Sequence, residues 1–115
     1  MWFGFGLITL LSAFGGNRTV LAEVIDMFLV DGPQLTRAIR QAIDQGDGQR
    51  LASSAHALKG SAGLFGKQGA YETASRLEQL AKGGDLTGVG EACAELEREM
   101  DALRATLAEL RRDLL

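Results

Sequence analysis

Residues 89–114 read VGEACAELEREMDALRATLAELRRDL, and their periodicity decides the class of fold. Val89, Cys93, Leu96, Met100, Leu103, Leu107, Leu110 and Leu114 follow one another in alternating steps of four and three residues. At about 3.6 residues per turn this spacing draws one apolar stripe along a helix and leaves charged residues on the other side. A stripe so long and unbroken belongs against other helices. Nowhere does the chain alternate apolar and polar residues with the period of two expected of a half-buried strand.

Backwards from this helix, glycines, a single proline and capping residues divide the chain into helix-length pieces. Gly83-Gly84 closes a segment over Lys67–Lys82 that would bury Ala70, Ala74, Leu77 and Ala81, after which Asp85 or Thr87 can start the last helix. Before it, Gly66 is placed as a left-handed C-terminal cap for a segment that starts behind Asp47 and runs to about Phe65. Asp31-Gly32-Pro33 reads as the opening of a segment with Leu35, Ile39, Ala42 and Ile43 on one face, ending at Gly46. Asn17 caps another, with Val20, Leu21, Val24, Ile25 and Phe28, reaching about Val30. The expected fold is all-α: an antiparallel four-helix bundle with one or two additional short N-terminal helices.

Residues 1–14 contain no charge and are rich in large apolar side chains, among them Trp2, Phe3 and Phe5. Phe3, Leu7, Leu10 or Leu11, and Phe14 recur at helical spacing, so this segment is expected to form a short helix packed on the bundle of residues 15–115. It is too short to span a bilayer and lacks the positive start and cleavage site of an export signal, so no membrane insertion is expected. With 115 residues, 46 % of them hydrophobic, the chain suits one domain and one core. A net charge of −3 argues against nucleic-acid binding. One cysteine, Cys93, gives neither a disulfide framework nor a metal-ligand spacing. A cytoplasmic monomer without a metal site is expected.

The single histidine lies in a helix whose apolar stripe is Leu51, Ala55, Leu58, Ala62 and Phe65. His56 falls roughly 140° from the centre of that stripe and should face water. Its neighbours on the outer face are Ala52, Ser53, Gly60 and Gly63, with Lys59 one turn on. Glycine inside a helix costs roughly 0.5–1 kcal/mol relative to alanine, which suggests that bare backbone is needed where a partner approaches. At Gly63 the close packing of a neighbouring helix is an alternative reason. A neutral imidazole has a lone pair that can take a phosphoryl group into a labile P–N bond. Lys59 stands where it could offset the charge of the phosphoryl oxygens.

The stretch from His56 to Gly66, HALKGSAGLFG, resembles the signature of the histidine phosphotransfer domains of multistep phosphorelays, in which histidine is followed by x-Leu-Lys-Gly-Ser and further glycines. Phe14-Gly15-Gly16-Asn17, Phe28-Leu29-Val30-Asp31, Gly46-Asp47, Leu77-Glu78 and Gly84-Asp85 extend the likeness over about Leu11 to Leu110. The resemblance implies that His56 is phosphorylated on its solvent-facing nitrogen by a receiver-domain aspartyl phosphate or a kinase, and that it passes the group to a response-regulator receiver. It implies partners among receiver domains and hybrid sensor histidine kinases, with Mg²⁺ on the partner and no cofactor on this chain. It also implies a polar residue on the next helix holding the other imidazole nitrogen: counting along the motif gives Glu78, with Gln79 and Gln68 as alternatives. Two other readings share the bundle: a kinase-linked phosphoacceptor domain of a chemotaxis-type system, and a docking module in which His56 is incidental.

Overall fold

The computed structural model describes residues 7–114. Its elements are α1 (Leu7–Ala13), α2 (Arg18–Asp44), α3 (Gly48–Ala62), a 3₁₀ turn (Gly63–Phe65), α4 (Ala70–Lys82) and α5 (Val89–Leu114), with no strand among the described residues. Helices α2, α3, α4 and α5 each pack on the next, and α5 returns to α2, which closes a four-helix bundle. Side-chain pairs fix the directions. Arg18 reaches the carbonyl of Leu114, Arg111 pairs with Asp26 and Arg40 with Glu97, so α2 and α5 run antiparallel. Thr73 with Glu99 and Arg76 with Glu95 show the same for α4 and α5.

In α3, α4 and α5 the buried residues reproduce the stripes written in the sequence, whereas in α2 Val20 is exposed and Val24, Leu35 and Ile43 are only half-buried. Leu51, Ala55, Leu58 and Ala62 of α3, Ala70, Ala74, Leu77 and Ala81 of α4, and seven of the eight stripe positions of α5 are in the core, Leu110 being half-buried. Asn17 Oδ1 accepts from the Val20 amide and Asp47 Oδ1 from the Arg50 amide, each at 3.0 Å, and these bonds start α2 and α3. Between them Gly46 takes φ 66°, a conformation that costs glycine nothing, so the chain reverses in a few residues.

Three expectations fail in detail. Asp31-Gly32-Pro33 opens no new helix, because α2 runs through it for 27 residues. Gly32 is there for packing rather than for a turn: a Cβ at this position would lie 3.0 Å from Met100 Cε of α5. The burial of one continuous face, Leu21, Ile25, Phe28, Ile39 and Ala42, outweighs the missing Pro33 donor. The histidine helix becomes a 3₁₀ turn after Ala62, and Gly66 adopts φ 137°, ψ 156°, a glycine region distinct from the left-handed cap. Finally, α4 starts at Ala70 and α5 at Val89, each later than expected; ahead of α5, Asp85 spends its side chain on a turn with the Thr87 amide.

Helices α3 and α4 have 15 and 13 residues against 27 and 26 in α2 and α5. The Phe28–Phe65 edge-to-face pair marks where the four-helix cross-section ends. Beyond it α2 and α5 continue, and α1 lies along α2 with Leu10 buried and Leu7, Leu11 and Phe14 half-buried. Trp2, Phe3 and Phe5, and so the first part of the expected N-terminal helix, lie outside the described residues. No described helix is long and apolar enough to cross a membrane.

Candidate functional site

The stripe of α3 turns Leu51, Ala55 and Leu58 inward, which leaves His56 on the outer surface with 67 % of its side chain exposed. Antiparallel packing sets the middle of α4 beside it. There Glu78, only 2 % exposed, is a carboxylate among core residues. One of its oxygens, Oε2, lies 2.8 Å from His56 Nδ1 and 3.0 Å from Lys82 Nζ. The other, Oε1, lies 2.8 Å from Lys59 Nζ, in an ion pair whose angles fall outside those of a hydrogen bond.

A buried carboxylate ordinarily resists ionisation, but here the neighbouring cations prevail. The Lys59 ammonium first, then Lys82 and the imidazole, hold Glu78 down to about 2, against the opposing effect of burial. Lys59 is correspondingly raised by its close ion pair with Glu78. At neutral pH Glu78 therefore has no proton to donate, so Nδ1 is the donor in the contact with Oε2. In the neutral ring this leaves the lone pair on Nε2, on the side of the imidazole turned away from Glu78. Buried carboxylate, oriented ring and open nitrogen form the arrangement of an activated nucleophile without a local base.

The structure brings His56, Lys59 and Glu78 together. Gln79 and Gln68 are both exposed, and neither bonds to the ring. The outer-face residues separate into two kinds. Ser53 is exposed with its hydroxyl donating to the Arg50 carbonyl, Ala52 is half-buried, and Gly60 is exposed with open space where a side chain would be. Gly63 instead is covered from within: a Cβ there would meet the Tyr71 ring at 3.1 and 3.3 Å. Its bare backbone serves helix packing, the alternative reason foreseen for it. Lys82 and Tyr71 were not singled out from the sequence. Lys82 stands four residues after Glu78, and that spacing was its only signal.

An apolar depression of about 110 Å³ adjoins the C-terminal end of α3, lined by Val24, Met27, Phe28, Asp31, Ser61 and Leu64. Met27 and Leu64 are among the most exposed large apolar side chains of the described residues.

The family model described as Hpt domain matches residues 23–106. Among solved structures, the chain is similar to histidine-containing phosphotransfer protein B of Pseudomonas aeruginosa PAO1, with 26 % identity, 80 % of each chain covered and a TM-score of 0.77. A search of curated proteins gives no match.

Proposed function

This chain belongs to the Hpt domain family, and from that premise we propose that it is a cytoplasmic phosphorelay intermediate whose His56 accepts a phosphoryl group from a receiver-domain aspartate and delivers it to the receiver aspartate of a response regulator. The carrying observation is the exposed His56 ring, fixed through Nδ1 by the buried carboxylate of Glu78. An aspartyl phosphate is an acyl phosphate. When Nε2 attacks its phosphorus, the P–O bond breaks toward the aspartate and a P–N bond forms. Lys59, one turn along the helix, supplies positive charge for the phosphoryl oxygens. In the forward transfer the same steps run in reverse onto the next aspartate. Mg²⁺ and the remaining catalytic groups belong, in this reading, to the receiver.

Exposed Ser53 and Gly60, with half-buried Ala52, keep the surface around His56 low, which suits a receiver active site that must close over the ring. Leu64, about 12 Å from His56 along the helix axis, and Met27 of α2, which lines the same depression, offer an apolar edge to the same partner. The test is to mix the purified chain with phosphorylated receivers from its source. The label should appear on the chain in acid-labile, alkali-stable form, and His56→Gln should take up none while keeping its helical content. Labelling of that variant would overturn the assignment of His56.

A further inference from the structure

The contact between His56 and Glu78 fixes a tautomer, but an amide at position 78 could accept the same hydrogen bond. A carboxylate adds charge, and the charge matters most after phosphorylation. Once Nε2 has given its lone pair to phosphorus while Nδ1 keeps its proton, the ring is a cation. That cation faces a carboxylate at hydrogen-bond distance, in a place where Glu78 is almost wholly removed from water and the attraction is weakly screened. In the free protein the same oxygen, Oε2, is shared with Lys82, whose side chain is 59 % exposed and free to turn.

We propose that Glu78 changes ionic partners with the phosphorylation state of His56: the lysines hold its charge while the ring is free, and the ring takes Oε2 from Lys82 once Nε2 is phosphorylated. This rests on His56 being the phosphoacceptor. Lys82 then turns toward the phosphoryl oxygens, while Lys59 keeps its ion pair with Oε1. On discharge the P–N bonding pair returns to Nε2, the ring becomes neutral with its Nδ1 proton in place, and Lys82 recovers Oε2. Glu78 thus favours the loaded carrier over the empty one, and acts as a positioning residue whose charge sets how firmly the cargo is held. The charged group in contact with the ring is Glu78 of α4, and Lys82 of α4 and Lys59 of α3 reach it only through Glu78.

The experiment loads the full chain with phosphoramidate, which needs no partner protein, and follows the ring by ¹H–¹⁵N NMR as pH is raised. The phosphorylated wild type should keep its Nδ1 proton to a pH about one unit higher than phosphorylated Glu78→Gln, a tenfold difference in proton affinity. The Lys82 side-chain ammonium signal should move on loading in the wild type. Free phosphohistidine in the same buffer is a second reference that requires no variant, and it too should lose the proton about one unit earlier than the wild type. Equal midpoints in loaded wild type, variant and free phosphohistidine would overturn the exchange while leaving His56 as carrier. Failure of the wild type to load at His56 would remove the carrier reading and this one with it.

Discussion

Gly60 and Gly63 lie three residues apart, yet a methyl group added to each would meet different surroundings. At Gly60 nothing stands within 4 Å, so Gly60→Ala should stabilise the chain by about 0.5–1 kcal/mol, read as a higher unfolding midpoint. The larger Gly60→Gln should, on the proposed function, slow transfer with a cognate receiver more than it alters stability, because it raises the surface beside His56. Gly63→Ala should gain nothing in stability, since the Tyr71 ring must give way by a few tenths of an ångström. At Lys59 the charge pairs with Glu78 and, in the proposed transfer, would also face the incoming group. Lys59→Ala should slow transfer by roughly ten- to a hundredfold, about 1.4–2.7 kcal/mol of barrier, and Lys59→Arg should restore part of the rate in single-turnover measurements. The exposure of His56 could be read from the phase of its helix, whereas Glu78 was implied only by the family resemblance, with Gln79 and Gln68 left open beside it. Lys82 could not be read, because a lysine four residues after a glutamate is common on helices and gains meaning only when the glutamate is buried.

Among the elements, α2 is where local signals mislead. Asp31-Gly32-Pro33 carries the marks of a helix boundary, and a proline inside a helix costs about 3 kcal/mol. That cost is local, whereas the compensation is tertiary: the glycine admits Met100, and the stripe from Leu21 to Ala42 stays in register across the proline. Pro33→Ala should restore the missing backbone donor and raise stability by about 1–3 kcal/mol, measured by denaturant unfolding. An unchanged or lowered stability would mean that the pyrrolidine ring packs productively in the groove between α2 and α5, where Phe28, Leu29 and Met100 also lie. The stripes of α3, α4 and α5 were legible because period and burial coincide. Their ends were less so, since the 3₁₀ turn and the Asp85 turn depend on short-range geometry that residue identity leaves open.

In the molecule as a whole, Glu78 ties α3 to α4 from inside, and the tie depends on acid. Its carboxyl is held at about 2, below the ordinary 4.5, so the bonded form adds stability that is full above the ordinary range and lost as pH falls toward 2. The loss should be on the order of a few kcal/mol, and Glu78→Gln should show a flatter stability profile over that interval in acid titration followed by circular dichroism. The molecule measures 43 × 23 × 20 Å, with α2 and α5 along the length. Where Met100 sits over Gly32, these two helices are keyed together like a catch in a slot. Sliding one past the other by a turn would drive the methionine into Phe28 or Thr36. The contact therefore opposes slippage of the long pair, so that α2 and α5 form a braced backing against which the two shorter helices are held.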